Sequence, residues 1–128
     1  MTQEQTEREL QFARDIQMSA MPWVFPAYPG HDEFDIYAKM VPAKEVGGDF
    51  YDFYFAGDER LAILIADISD KGIPSALLMM LAKTFFKSHI EAGATPAEVM
   101  KRANDELCRG NDAGMFISAW IGIVDLKR

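Results

Sequence analysis

Two stretches of this sequence hold residues able to do chemistry. The first is Glu45-Val46-Gly47-Gly48-Asp49-Phe50-Tyr51-Asp52. Its paired glycines permit unusual backbone angles and close approach of another group, just before an aromatic run that suits a strand. Asp49 stands at the strand entrance. In a regular strand Asp49 and Asp52 project to opposite faces, so they cannot serve one site together. The second stretch is Ile63-Leu64-Ile65-Ala66-Asp67-Ile68-Ser69-Asp70-Lys71-Gly72-Ile73-Pro74. Here an apolar strand ends in Asp67 and a short glycine-containing loop runs into a helix. Strand ends hold charged groups on a rigid backbone where a ligand can reach them. Two such carboxylates, with only two histidines and one cysteine in the chain, suit magnesium or manganese better than zinc or copper. The helix beyond Gly72 would add a terminus favourable to an anion. Blander readings fit the same pattern: a glycine turn followed by a solvated Asp49, or helix capping by Ser69 or Asp70, the latter better placed for it than Asp67. Spacing alone names no reaction.

These carboxylates need elements to position them. Residues 3–20 read as a helix with Phe12, Ala13, Ile16 and Ala20 on one face and Leu10 at its edge, and with Glu7, Gln11 and Arg14 on the other. Such a stripe must be buried, on a partner helix or on the body of the domain. Pro22 stops the helix, and Pro22, Pro26, Pro29 and Gly30 mark an irregular connection. Phe34–Val41 alternates Phe34, Ile36, Ala38 and Met40 with Asp35, Tyr37 and Lys39, the period of a half-buried strand. Asp49–Phe55 is a second expected strand, Gly57-Asp58-Glu59 a turn, and Leu61–Ala66 a third strand, expected to be buried on both faces. A helix starts near Pro74; its Leu77–Ala82 segment is apolar all round and should be central, and Gly93 should end it. Thr95-Pro96-Ala97-Glu98 is a capping box opening a helix with Val99, Ala103 and Leu107 on one face, ended by Gly110. Met115–Leu126 is a last apolar strand. A chain stopping directly after it, at Arg128, is expected to be a truncated domain with an uncovered sheet edge. The alternative is a strand last in sequence but internal in space.

Composition narrows the class. The 128 residues are 49% hydrophobic, enough for one small domain with a core. The net charge of -7 opposes a nucleic-acid backbone and gives no attraction to anionic lipid. Cys108, the single cysteine, excludes an internal disulfide, which fits a reducing compartment. The polar N-terminus is unlike a secretory signal and no apolar run can span a bilayer, so a cytoplasmic location is expected. His31 and His89 have no spaced partners for a triad or zinc site, Met79, Met80, Phe85 and Phe86 suit a core, and Lys71 reads equally as solvated or as facing an anionic substrate.

Taken together, Ala13-Arg14-Asp15-Ile16-Gln17, Met21-Pro22, Pro42-Ala43, the Gly-Gly-Asp-Phe-Tyr-Asp block, Asp67-Ile68-Ser69-Asp70-Lys71-Gly72-Ile73-Pro74-Ser75-Ala76-Leu77 and Met115-Phe116 resemble, in order and spacing, the SpoIIE/RsbU branch of the type-2C (PPM) metal-dependent serine/threonine phosphatases. The resemblance implies an α+β fold, an αββα sandwich with antiparallel sheets, present here only in its N-terminal part. It divides the chain into a linker or switch helix, residues 1–21, and a phosphatase portion, residues 22–128. It makes Asp49 the first metal ligand and Asp67 the second, bridging two Mn2+ or Mg2+ ions, with the carbonyl of Ile68 beside them. Water activated by the ions would attack a phosphoserine or phosphothreonine, without a phosphoenzyme. The implied partners are a phosphorylated STAS-domain anti-anti-sigma factor, an upstream sensor or receiver domain, and a second copy of the chain joined through residues 3–20. Family members supply further aspartates from later strands, one in an Asp-Gly pair; Asp125 matches neither. This chain alone is therefore expected to release little or no phosphate. The alternative is a non-catalytic interaction module on a phosphatase-like half-fold.

Overall fold

The computed structural model describes residues 2–41, 47–69, 72–109, 111 and 114–127. The elements are α1 (Gln3–Ser19), β1 (Phe50–Phe55), β2 (Arg60–Ile68), α2 (Ile73–Glu91), α3 (Pro96–Cys108) and β3 (Ile117–Asp125). The turn at residues 56–59, with Gly57 at φ +94, folds β2 back on β1, and the Ala56 amide donates to the Arg60 carbonyl at its mouth. After the two helices the chain returns as β3 on the other side of β2. The sheet order is β1-β2-β3, antiparallel throughout.

The helices α2 and α3 cover one face of this sheet. From the strands come Phe50, Ala62, Leu64, Ala66 and Ile68; from the helices come Met79, Ala82, Phe86, Ile90, Val99 and Ala103. Phe50 stacks on Phe86 with ring centroids 6.5 Å apart. The break between the helices is written in sequence: Gly93 takes φ +90, and Thr95 and Glu98 form the expected capping box. His89 and Glu106 then tie α2 to α3. On the opposite face of β1, Phe53 and Phe55 are covered by rings of the irregular connection, among them Phe25, Tyr28 and His31. The Tyr51 hydroxyl donates to the Pro22 carbonyl.

Three expectations need correction, and for α1 one of two alternatives, burial on the body of the domain, does not hold. Phe34–Val41 shows the expected alternation of half-buried and exposed residues but forms no strand ladder among the described residues. The alternation reports only which side lies on the sheet, whereas a strand also needs a neighbouring backbone to bond. β2 is not buried on both faces: Ile65 is 60% exposed, because the connection covers the second face over β1 and leaves it open over β2 and β3. α2 is not enclosed at Leu77–Ala82: Leu77 is 63% exposed and Leu81 also faces outward, since the sheet takes only the stripe of Ser75, Met79, Ala82 and Phe86. α1 has the expected span but buries no residue. Phe12 is 67% exposed, and contact with the body is at the helix's end, through Met18 and Gln17. α3 ends at Cys108, and the stop expected at Gly110 lies outside the described residues.

The two capping boxes, Thr2 with Gln5 and Thr95 with Glu98, are the same local motif in different settings. Thr95→Ala should lower global stability by about 1 kcal/mol, because α3 buries Val99 and Ala103 in the core. Thr2→Ala should fray α1 and leave the urea midpoint unchanged, because α1 buries nothing. Equal shifts in the two variants would contradict this account.

Candidate metal centre

The β1–β2 register pairs Phe50 with Ala66. One step further, where β1 begins, Asp49 stands opposite Asp67. The β2–β3 register sets Ser118 on the other side of Asp67. Hydrogen bonding to Asp67, partial burial and the negative charge of Asp67 together push the Asp49 carboxyl above the usual carboxylate range. Two carboxylates facing one groove repel each other, and a cation between them would offset that repulsion. They open into a groove of about 520 Å³ with Lys39, Ile65, Ser118 and Trp120 also on its walls.

The glycine pair before Asp49 serves a packing need. A Cβ on Gly48 would lie 2.6 Å from the Ile68 Cβ and closer still to the Ser75 hydroxyl, so the start of β1, the end of β2 and the first turn of α2 meet there only if residue 48 has no side chain. Gly47 has open space around it, and its carbonyl accepts a hydrogen bond from Gln17 Nε2 at 2.6 Å. Past Asp67, Ser69 bonds β3 twice: its amide donates to the Phe116 carbonyl at 2.8 Å, and its hydroxyl accepts from the Phe116 amide at 2.9 Å. It therefore does not cap α2. The N-cap of α2 is Gly72, with φ +87 and no side-chain cap bond. Pro42–Val46, Asp70 and Lys71 lie outside the described residues, and with them the capping role expected of Asp70.

The structure thus brings Asp49 and Asp67 together. The Ile68 side chain is buried in the core, so only its main chain is available to a site. Asp52 projects to the face opposite Asp49, as expected; that is the helical face, where it is buried against Lys83. His31 and His89 serve in ring packing and in the helix–helix tie, and Asp125 sits opposite Arg60 at the far end of the sheet. The sequence did hold an unused signal for the carboxylate pair. Asp49 and Asp67 are equidistant from Asp58 in the turn, so a hairpin centred there places them opposite one another. Lys83 was missed because a helical lysine carries no mark of burial. Among the described residues no group of three or more His, Cys, Asp or Glu side chains is placed to hold a metal ion. The donors fit a hard divalent cation in chemistry and would supply only part of its shell.

A three-stranded antiparallel sheet backed by two helices, with paired aspartates at adjoining strand ends, defines a portion of a PPM-type phosphatase fold. Residues 57–128 match the family described as Stage II sporulation protein E (SpoIIE), and the chain belongs to that family, in its RsbU branch. It is 35% identical over 116 residues to the phosphoserine phosphatase RsbU of Bacillus subtilis, covering 91% of this chain and 33% of the relative. It is 35% identical over 105 residues to protein IcfG of Synechocystis, covering 81% and 16%, and 34% identical over 104 residues to the phosphoserine phosphatase RsbP of Bacillus subtilis, covering 80% and 24%. The chain therefore spans a third or less of these relatives. The crystal structure of the RsbU and RsbW domains of a Mycobacterium tuberculosis protein shares the fold, with a TM-score of 0.57, 23% identity, and coverage of 63% of this chain and 23% of that one.

The two glycines give a direct test. Gly48→Ala should destabilise the chain by about 1–3 kcal/mol through overpacking against Ser75 and Ile68. Gly47→Ala, with nothing near its added methyl, should change stability by no more than about 0.5 kcal/mol. Chemical denaturation of both would check this, and a tolerated Gly48→Ala would refute the close approach.

Proposed function

We propose that this chain supplies the first two carboxylates of a manganese- or magnesium-dependent centre that removes phosphate from phosphoserine or phosphothreonine on a regulatory protein. The observation that carries this reading is the meeting of Asp49 and Asp67 at adjoining strand ends beside an open groove. Asp49 would hold a cation from the β1 side and Asp67 from the β2 side, with the Ile68 carbonyl next along the chain. Bound there, such cations lower the pKa of water and neutralise charge on phosphoryl oxygens. What the chain itself contributes is placement. The β1–β2 register sets the two carboxylates face to face, Gly48 lets α2 close on the strand ends, and Ser69 fastens the end of β2 to β3. Membership of the SpoIIE family and the likeness to two phosphoserine phosphatases support the chemistry.

The substrate in this reading is a phosphorylated STAS-type anti-anti-sigma factor in the cytoplasm. Residues 1–21 act as a linker from an upstream sensor or receiver domain, and residues 22–128 as the front of the phosphatase domain. Among the described residues no helix is long and apolar enough to cross a membrane. The outward Phe12 and Ile16 on α1 would pair with the same helix of a second copy.

Titration calorimetry with MnCl2 tests the centre. The chain should bind manganese, and Asp49→Asn and Asp67→Asn should each abolish binding. The chain alone should release little or no phosphate from a phosphopeptide, because the described residues furnish only part of a cation's shell. Identical binding in wild type and both variants would end the metal reading and favour a non-catalytic interaction module. For α1, Ile16→Asp should reduce the mass seen by light scattering from dimer to monomer, and an unchanged mass would sink the pairing.

A further inference from the structure

Tyrosines aside, the polar side chains buried among the described residues are Asp52 and Ser75, and both lie in the seam between α2 and β1. Ser75 rests on Gly48, one residue before Asp49. Two turns along α2, Lys83 reaches the carboxylate of Asp52, three residues after Asp49. Asp52 is 4% exposed, and the Lys83 side chain is also largely withdrawn from water. Phe50, between these points on the strand, stacks on Phe86, just past Lys83 on the helix, and Lys87 lies 5.0 Å from the centre of the Tyr54 ring. The helix therefore holds residues 48, 50, 52 and 54 of one strand face, while Asp49 projects from the other.

Asp49 needs such a hold. The β1–β2 ladder ends at Phe50 with Ala66, one residue short of Asp49, so the register reaches Asp49 only through its neighbour. A shift of one residue in β1 would turn Asp49 to the helical face and Asp52 to the groove side. Apolar contacts between helix and strand resist such a shift weakly, because one buried ring or methyl can replace another. In the shifted strand Lys83 would be left in the seam without the carboxylate that now compensates it. We propose that the Asp52–Lys83 ion pair is a positioning device for the metal centre, fixing the direction in which Asp49 projects so that it meets Asp67.

This inference rests on the phosphatase reading for its purpose, and its test separates the two. The background is the full chain with Asp49→Cys, Asp67→Cys and Cys108→Ser, in which oxidative cross-linking reports the approach of positions 49 and 67 without any metal. Directly opposite residues of antiparallel strands lie within reach of a disulfide. Lys83→Met should slow cross-linking several-fold and, in the otherwise native chain, weaken manganese binding by about tenfold or more, the usual effect of losing a group that orients a ligand. Lys83→Arg, which keeps the ion pair, should restore both. If Lys83→Met does not fold, Asp52→Leu with Lys83→Met removes both charges and carries the same comparison. Unchanged cross-linking and manganese affinity in a folded variant would overturn the proposal. So would a double variant that fails to fold, since the pair would then be holding the fold and not a direction. If the wild-type chain takes no manganese while cross-linking responds as expected, the metal reading falls and the positioning role stands.

Discussion

The hairpin register between β1 and β2 is the constraint on which the rest depends. Because side chains alternate along a strand, one register decides at once that Phe50, Asp52 and Tyr54 face the helices and that Asp49 comes opposite Asp67. Everything nearby protects that choice. The turn at residues 56–59 closes the hairpin, β3 bonds the far side of β2, and Ser69 and Phe116 exchange two hydrogen bonds just past the end of β2, one donated by each amide. The carboxylate pair is a product of backbone geometry, and its side chains add little to their own placement.

Packing on the two sides of the sheet differs in kind. The helical side is filled by aliphatic and aromatic groups from both layers, with a single ion pair set among them. The other side is covered over β1 by a proline-interrupted segment that uses rings in place of a ladder: Phe25, Tyr28, His31 and Phe34 gather around Phe53 and Phe55. Over β2 and β3 that cover stops, which leaves Ile65 and Trp120 facing outward beside the aspartates. The groove at the candidate centre is the margin of this partial cover.

Much of this was legible in sequence because local signals and tertiary packing agreed. The span of α1, the capping box at Thr95, the end of α2 before Gly93 and the opposite facing of Asp49 and Asp52 all follow from residue type and period. The glycine pair was legible as a site of close approach, although only Gly48 serves that purpose. The misreadings share one cause. Apolar runs such as Leu61–Ala66 and Leu77–Ala82 state that a surface prefers to be covered, and they do not state whether a cover is present. Likewise the period of Phe34–Val41 gave its facing but could not supply a neighbour for its amides. The partner of Asp52 was illegible for a different reason: the ion pair joins residues 31 apart, and only the seating of helix on strand selects which lysine is within reach.

The position of β3 has a consequence for handling the protein. Its nine residues, Ile117–Asp125, form one border of the three-stranded sheet, with Trp120 and Val124 outward on the uncovered side. Among the described residues no strand pairs with its outer edge, and an apolar edge of this kind is a template on which another strand can add. The net charge of -7 provides long-range repulsion that keeps molecules apart, and salt screens it within about 10 Å at 0.1 M. Raising the salt therefore weakens the repulsion that opposes edge-to-edge approach of two such sheets, and low salt preserves it.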